Sequence, residues 1–188
     1  MDGIDNNPMS WLRLVAFTSA DLEAVAEWFD DPETCCWLGD RRWPEMILRL
    51  AADPPAEHRG HRVIDRRAWI IEVGDVRVGM IDVENLRQWT AGLAFVVAPI
   101  HRGRGVARRA LAAIATRLAS DGVQKVFGGV ETDSQASIRC IEAAGFTCRS
   151  RQPDAEGFVY LARQLSETVV EEVAEVEEVE EAPRVSGA

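Results

Sequence analysis

The residues best placed to do chemistry lie in one short run, Arg102-Gly103-Arg104-Gly105-Val106-Ala107-Arg108. The run follows a continuous apolar stretch, residues 93–98, that ends at Pro99, and it leads at once into an Ala-rich segment. The order is strand, glycine loop, helix. The first N–H groups of a helix have no internal acceptor and the helix dipole is positive there, so such a junction binds anions, phosphate above all. Gly103 and Gly105 let the backbone approach a ligand closely because they lack a Cβ, and Arg102 and Arg104 add positive charge. A Walker-type triphosphate loop is excluded, because the chain contains no Gly-Lys pair. A dinucleotide loop is excluded too: its third glycine would fall on Arg108, and its strand would normally open the sheet.

Groups that could accept a proton are Asp82, Glu84, Glu72 and Glu131. Glu84 and Glu131 each end a predicted strand and are the candidate catalytic residues. Glu72 falls mid-strand among apolar residues, where a paired structural carboxylate is expected. His101 reads as a turn residue, and His58 and His61 as surface residues of a polar loop. Cys35, Cys36, Cys140 and Cys148 form no C-x-x-C pair and no Cys/His zinc spacing. No metal is expected, and the thiols are expected to be reduced and buried.

The elements that must position these groups follow from hydrophobic periodicity and punctuation. A strand is expected over residues 11–18. A helix capped by Thr18 or Ser19 follows, with Leu22, Val25, Ala26 and Phe29 at helical spacing and an interruption at Pro32. A second helix covers residues 44–52 with Pro44 in its first turn, before a loop that starts at Pro54-Pro55. Strands 68–73 and 76–83 form a hairpin around Gly74-Asp75. The apolar strand from Leu93 lacks alternation, which places it centrally with both faces buried. After the Ala-rich helix come a strand over 125–131, a helix over 134–144 closed by Gly145, and two last strands at 146–150 and 157–165. The fold class is α/β (α+β): a mixed sheet of about seven strands with four flanking helices.

Composition sets the outer bounds. The chain has 188 residues, 47% of them apolar, enough to bury a core. Its net charge of -10 is unevenly spread. Residues 166–188 hold eight Glu and one Arg, whereas residues 1–165 hold 23 acids against 20 bases. A catalytic domain over 1–165 and an acidic, mobile Glu/Val-rich tail over 166–188 are therefore expected. The charge argues against nucleic acid as a partner. No apolar run approaches the roughly 18 residues of a membrane span, so no membrane partner and a cytoplasmic location are expected.

A second segment matches a second pattern. Ser137, Ile138, Arg139, Glu142, Gly145 and Phe146 stand as in N-x-x-S-I-R-x-x-E-x-x-G-F, and Arg102 to Ala107 as in R/Q-x-x-G-x-G/A. With both motifs in order, the chain resembles the GNAT superfamily of acetyl-CoA-dependent N-acetyltransferases. The style of the second motif is shared by its ribosomal-protein-alanine and aminoglycoside members. The resemblance implies a mostly antiparallel sheet with a central splay and acetyl-CoA as co-substrate. It implies that the backbone of Phe95, Val96 and Val97 bonds the pantetheine arm, with an N–H near Val97 polarising the thioester carbonyl. It implies that the N–H groups of residues 103–108 hold the pyrophosphate. Ser134 stands where the family has an Asn that contacts CoA, and Ser137 lies beside it. Ile141 stands where the family has a Tyr that protonates the leaving thiolate, and it has no proton to give. The first two helices cover the acceptor in this family, which points to Trp37, Asp40 and Trp43, with Glu45, as acceptor-binding residues.

Three functions stay open at this point. One is acetyl transfer to a primary amine of a small acceptor, such as an aminoglycoside, polyamine or amino acid, by direct attack in a ternary complex. The second is acetylation of a protein N-terminus or lysine. The third is a non-catalytic acyl-CoA-binding module. A homodimer and a separate partner for the acidic tail also stay open.

Overall fold

The computed structural model describes residues 12–166, apart from positions 59, 88 and 149. Position 11 and the rest of the expected tail, 167–188, lie outside the described residues. All seven expected strands and four expected helices are present, joined by one short strand and one short helix that the pattern did not reveal.

Strand β1 (Leu12–Ala16) leads through a 3-10 turn (Ser19–Asp21) into α1 (Leu22–Ala26) and a second 3-10 turn (Glu27–Asp30). Asp21 holds the first turn by accepting from the Thr18 N–H and hydroxyl, both at 2.9 Å. The added helix is α2 (Pro32–Leu38). The first helical stretch ends at Asp30, the interruption expected at Pro32, and Pro32 itself begins the new helix, because at the first helical position its missing N–H has no partner to lose. Asp31 caps that helix by accepting from the Thr34 N–H at 2.9 Å. Next come α3 (Arg42–Ala52) and the added strand β2 (Glu57–His58), which folds onto β3 (His61–Val73). The first half of β3 is polar, which is why only residues 68–73 read as a strand. The chain continues through β4 (Val76–Leu86), β5 (Thr90–Val97), a 3-10 turn (Pro99–His101) and α4 (Val106–Ser120). It ends with β6 (Lys125–Glu131), α5 (Gln135–Ala143), β7 (Thr147–Cys148) and β8 (Phe158–Gln164). Glu72 pairs with Arg13 of β1 at 3.0 Å, the structural role expected of it. The cysteines are free as expected but not buried: Cys35 and Cys36 are exposed, and Cys140 and Cys148 half-buried. No described helix is long and apolar enough to cross a membrane.

The sheet order is β1-β3-β4-β5-β6-β8-β7, with β5 in the middle as its apolar run requires. Every neighbouring pair is antiparallel except β5 and β6. One face of the sheet carries Ile71, Ile81 and Val83 against Leu111, Ile114 and Leu118 of α4 and Ile138 and Ile141 of α5. The other carries Ile70, Met80 and Val96 against Val25, Phe29 and Ile47 of the first helices.

The central pairing is incomplete. Strand β5 follows β4 along its whole length, from Leu86 opposite Thr90 to Gly79 opposite Val97. It pairs with β6 only through Thr90–Lys125, Ala91–Val126 and Gly92–Phe127. From there β6 stays with β8 and β5 stays with β4, so the two strands part.

Gly79 keeps the β4 side of β5 tight. It lies beside a bulge in the β3–β4 pairing, and a Cβ there would come within 2.5 Å of the Val96 carbonyl oxygen and 2.9 Å of Ile71 Cδ1. Because the first obstacle is backbone, Gly79→Ala must push β5 off β4. The expected cost is about 1–3 kcal/mol, typical of an overpacked core. Urea unfolding checks this; an unchanged midpoint would show that the strands can shift freely.

Candidate active site

The parting strands open a cavity of about 420 Å³, within the range of small-molecule sites. Residues 93–97 of β5 and 128–131 of β6 form its two edges. Its far wall is Ser134, Ser137, Cys140 and Ile141 around α5, and its near wall is Glu33, Thr34, Trp37 and Leu38 of α2. Phe95, Val96, Val97, Arg102, Gly103, Gly105, Val106 and Ala107 all reach it, as do Ser134 and Ser137. Arg104 and Arg108 do not line it.

The glycine loop closes the open end. Gly103 and Gly105 have φ of 71° and 75°, left-handed values that cost a side chain-bearing residue energy. Gly105 caps α4 with no side-chain cap, so the N–H groups of Val106, Ala107 and Arg108 have no acceptor within the helix. Among the described residues, the N–H groups of Gly103, Arg104 and Gly105 donate to no backbone carbonyl in the surrounding turns. Several uncommitted donors at the positive end of a 15-residue helix make an anion site. The Arg102 guanidinium, expected at the anion, is turned onto α2. There it donates to Glu33 Oε2 (2.7 Å), Asp31 Oδ2 (2.8 Å) and Thr34 Oγ1 (2.6 Å).

Just before α5, the buried Ser134 donates its hydroxyl to Ser137 Oγ at 2.8 Å. Ile141 is 4% exposed and offers only an aliphatic wall. Burial pushes the neighbouring Cys140 thiol up, so it keeps its proton at neutral pH. His101, expected to be a plain turn residue, also lines the cavity.

The candidate bases fall at opposite ends. Glu131 lines the cavity at its open end, where β6 finishes. Glu84 does not line it. It belongs to a buried charge cluster near the vertex of the splay, on the sheet face that carries the first helices. Arg66 donates from Nε and Nη2 to the two oxygens of Asp82 (2.9 and 2.6 Å), and its Nη1 lies 3.5 Å from Glu84 Oε1. His58, exposed as expected, also joins the cluster: its Nδ1 lies 2.6 Å from Glu84 Oε2. Burial pushes the Asp82 carboxyl above its ordinary value, against the pull of Arg66. Glu84 Oε1 is buried with no hydrogen-bond partner. Asp82 stands opposite Ala94 and Glu84 opposite Gly92, so the β5 residues beside the carboxylates are both small. Cross-strand Cβ atoms are about 5 Å apart, and Ala94 itself lines the cavity.

Of the expected acceptor residues, only Trp37 reaches the cavity. Asp40, Trp43 and Glu45 line a second groove, of about 650 Å³, that shares Leu38 with the first. There Asp40 pairs with Arg42 at 2.7 Å, and Trp43 stacks on Phe29 with ring centres 5.5 Å apart, as a core anchor would. Sequence reasoning missed Glu33 and Thr34, although Asp31-Pro32 followed by Glu33 is a helix-start signal. No local signal joins His58 to Glu84. Among the described residues no cluster of His, Cys, Asp and Glu could hold a metal ion.

Removing the cation from the cluster should be severe. Arg66→Met leaves Asp82 and Glu84 buried without their guanidinium, which should cost about 3–5 kcal/mol. Denaturant unfolding measures it, and a loss like that of a surface pair, about 0–1 kcal/mol, would contradict a buried ionic cluster.

Comparison with known proteins gives one answer. The family described as "Acetyltransferase (GNAT) domain" matches residues 12–147. A curated protein of Bacillus subtilis (strain 168), called uncharacterized N-acetyltransferase YfmK, is 30% identical over 151 residues, 79% of this chain and 94% of the relative. Among solved structures, aminoglycoside acetyltransferase AAC(6')-Ib in complex with coenzyme A superposes with a TM-score of 0.67 at 18% identity, over 81% of this chain and 94% of that one. Spermidine N-acetyltransferase from Vibrio cholerae, in complex with CoA and spermine, gives 0.65 at 14% identity, over 82% and 95%. The splayed central strands, the uncapped glycine loop and the family match agree: the chain belongs to the GNAT acetyltransferase family.

Proposed function

We propose that this chain transfers the acetyl group of acetyl-CoA to a primary amine of a small acceptor, of the aminoglycoside, polyamine or amino-acid kind, by direct attack in a ternary complex. The catalytic unit lies within residues 1–165, with the acidic tail as an appendage. The observation that carries the reading is the open edge of β5, which runs from the fork straight into the anion-binding loop. An unpaired strand edge needs partners for its N–H and C=O groups, and the amide-bearing pantetheine arm can supply them as an added strand. From Gly92 to Val97 the edge is about 16 Å long at the usual rise per residue.

Direction follows from the parallel pairing. Both β5 and β6 run from the fork to the open end, where the glycine loop sits. With the pyrophosphate at that loop, the acyl end points toward the vertex. Asp82 and Glu84 stand opposite Ala94 and Gly92 at that vertex, whereas Glu131 is about 13 Å along β6 from Phe127. The register therefore favours Glu84 as the proton acceptor. Its Oε1, buried 3.5 Å from Arg66 Nη1 and making no hydrogen bond, keeps a lone pair to accept the proton that the amine gives up.

Bound acetyl-CoA supplies the acyl carbonyl that the amine attacks and the thiol that leaves. Backbone N–H groups of β5 polarise the carbonyl, residues 103–108 hold the pyrophosphate, and Ser134 and Ser137 border the arm. As an acceptor ammonium becomes an amide, its nitrogen loses two protons. One ends on the thiol and one reaches water. Glu84 takes the first to leave, which frees the lone pair for attack. Ile141 cannot protonate the thiolate, so that proton comes from the attacking nitrogen or from water. Trp37 gives the acceptor body an aromatic wall. The cationic amines bound by similar structures, aminoglycosides and spermine, support this acceptor class.

Gly105→Val should abolish CoA binding. A valine at φ 75° also costs about 1–2 kcal/mol, so calorimetry must be run well below the melting transition; unchanged CoA affinity would falsify the loop assignment. Glu84→Gln should leave CoA affinity intact and lower kcat by about 10²–10⁴-fold on whichever acceptor a panel of kanamycin, spermine, amino acids and peptides identifies by thiol release. A kcat equal to that of the unaltered chain would remove Glu84 as the base.

A further inference from the structure

We propose that Arg102 is a positioning residue for the acceptor wall: it straps α2 to the glycine loop, so that CoA binding at the loop orders α2 and the Trp37 it carries. The proposal rests on the reading of residues 103–108 as the CoA pyrophosphate site.

The first observation is that the N-terminal turn of α2 has few other anchors, the apolar contact with the core being made at its far end by Leu38. The helix has seven residues, and only Thr34 among them is buried, while Cys35 and Cys36 face solvent. Isolated helices shorter than about 12 residues are marginal in water, so its position depends on specific ties. The ties at its first turn converge on one side chain. Asp31 Oδ2 accepts from the Thr34 N–H (2.9 Å), from Thr34 Oγ1 (3.1 Å) and from Arg102 Nη2 (2.8 Å). Arg102 also donates to Thr34 Oγ1 at 2.6 Å and to Glu33 Oε2 at 2.7 Å. One planar guanidinium thus engages three side chains lying 68 to 71 residues away in sequence. A lysine cannot reproduce that fork.

The second observation is where Arg102 is rooted. Its N–H donates to the Pro99 carbonyl at 3.2 Å, which fixes its backbone on the turn that ends β5. The next residue is Gly103, the first left-handed position of the anion loop. Freezing that loop on a ligand therefore freezes the root of the strap. At the other end of the strap, Trp37 and Leu38 lie about one turn along α2 and face the cavity.

The geometry also argues against Arg102 as a phosphate ligand. To reach an anion it would have to abandon three partners and leave the Asp31 and Glu33 carboxylates unneutralised beside the pyrophosphate. Held where it is, it neutralises them. Donor and acceptor sites are then coupled through one side chain, and by linkage each ligand favours the other by the same factor.

Hydrogen exchange of the full chain, with CoA alone as the added ligand, tests this without knowledge of the acceptor. In the unaltered protein, saturating CoA should slow exchange in residues 103–108 and also in residues 35–39, the latter by about 5–150-fold, the usual range of intersite coupling. In Arg102→Met, at CoA concentrations that still saturate, protection of residues 103–108 should persist and that of 35–39 should vanish. Asp31→Asn combined with Glu33→Gln should give the same split, because Asn still caps a helix but no longer holds the guanidinium by charge. Arg102→Lys should fall between. Equal protection of residues 35–39 in all variants, or none in the unaltered protein while residues 103–108 are protected, overturns the strap. Absence of protection at residues 103–108 in the unaltered protein overturns the CoA site instead, and the strap with it.

Discussion

The structure depends on a pairing that stops. Strands β5 and β6 share three residue pairs and then part. A central strand normally satisfies its backbone groups on both sides; here residues 93–97 do so on one side only. Everything around the fork keeps it open without letting the sheet come apart. The β4 side is closed tightly, with room for nothing larger than glycine at position 79. Helices α4 and α5 cover one face with an unbroken apolar core, which lets β6 diverge with β8 as its remaining partner. The loop that ends β5 then offers the uncapped N–H groups of α4 at the mouth of the opening.

Charge is arranged on the opposite face, and it is mostly buried. Asp82, Glu84 and Arg66 have side chains 4%, 11% and 11% exposed. Such a cluster costs desolvation and is weak evidence for stability by itself. Its value is positional: strand register places it opposite Gly92 and Ala94, two small residues at the vertex of the fork. His58 reaches it only because β2 folds back on β3, across the turn that follows Pro54-Pro55. Arg102 plays the matching part at the mouth, where it joins the loop to α2.

The net charge of -10 has little bearing on this chemistry. Most of it belongs to residues 166–188, while residues 1–165 are nearly balanced. The local charges that matter are a few paired residues whose positions are set by the sheet.

Much of the scaffold was legible because its rules are local. An apolar run ending in proline, two glycines and an Ala-rich stretch declare strand, loop and helix through backbone sterics and unpaired amides, all within about 20 residues of chain. The same holds for the helix closed by Gly145 and for the central place of β5. The polar half of β3 and the seven residues of α2 escaped because neither carries a clear apolar period, and Pro32 starts a helix as readily as it ends one. The sequence by itself determined the anion loop, the two motifs and the family they point to. Only the tertiary structure decided that Glu84 meets His58 across 26 residues, that Arg102 turns from the anion to α2, and that Trp37 and Trp43 part company. Those contacts exist only once strand register and helix packing have fixed where side chains point, and no local pattern in the chain encodes that.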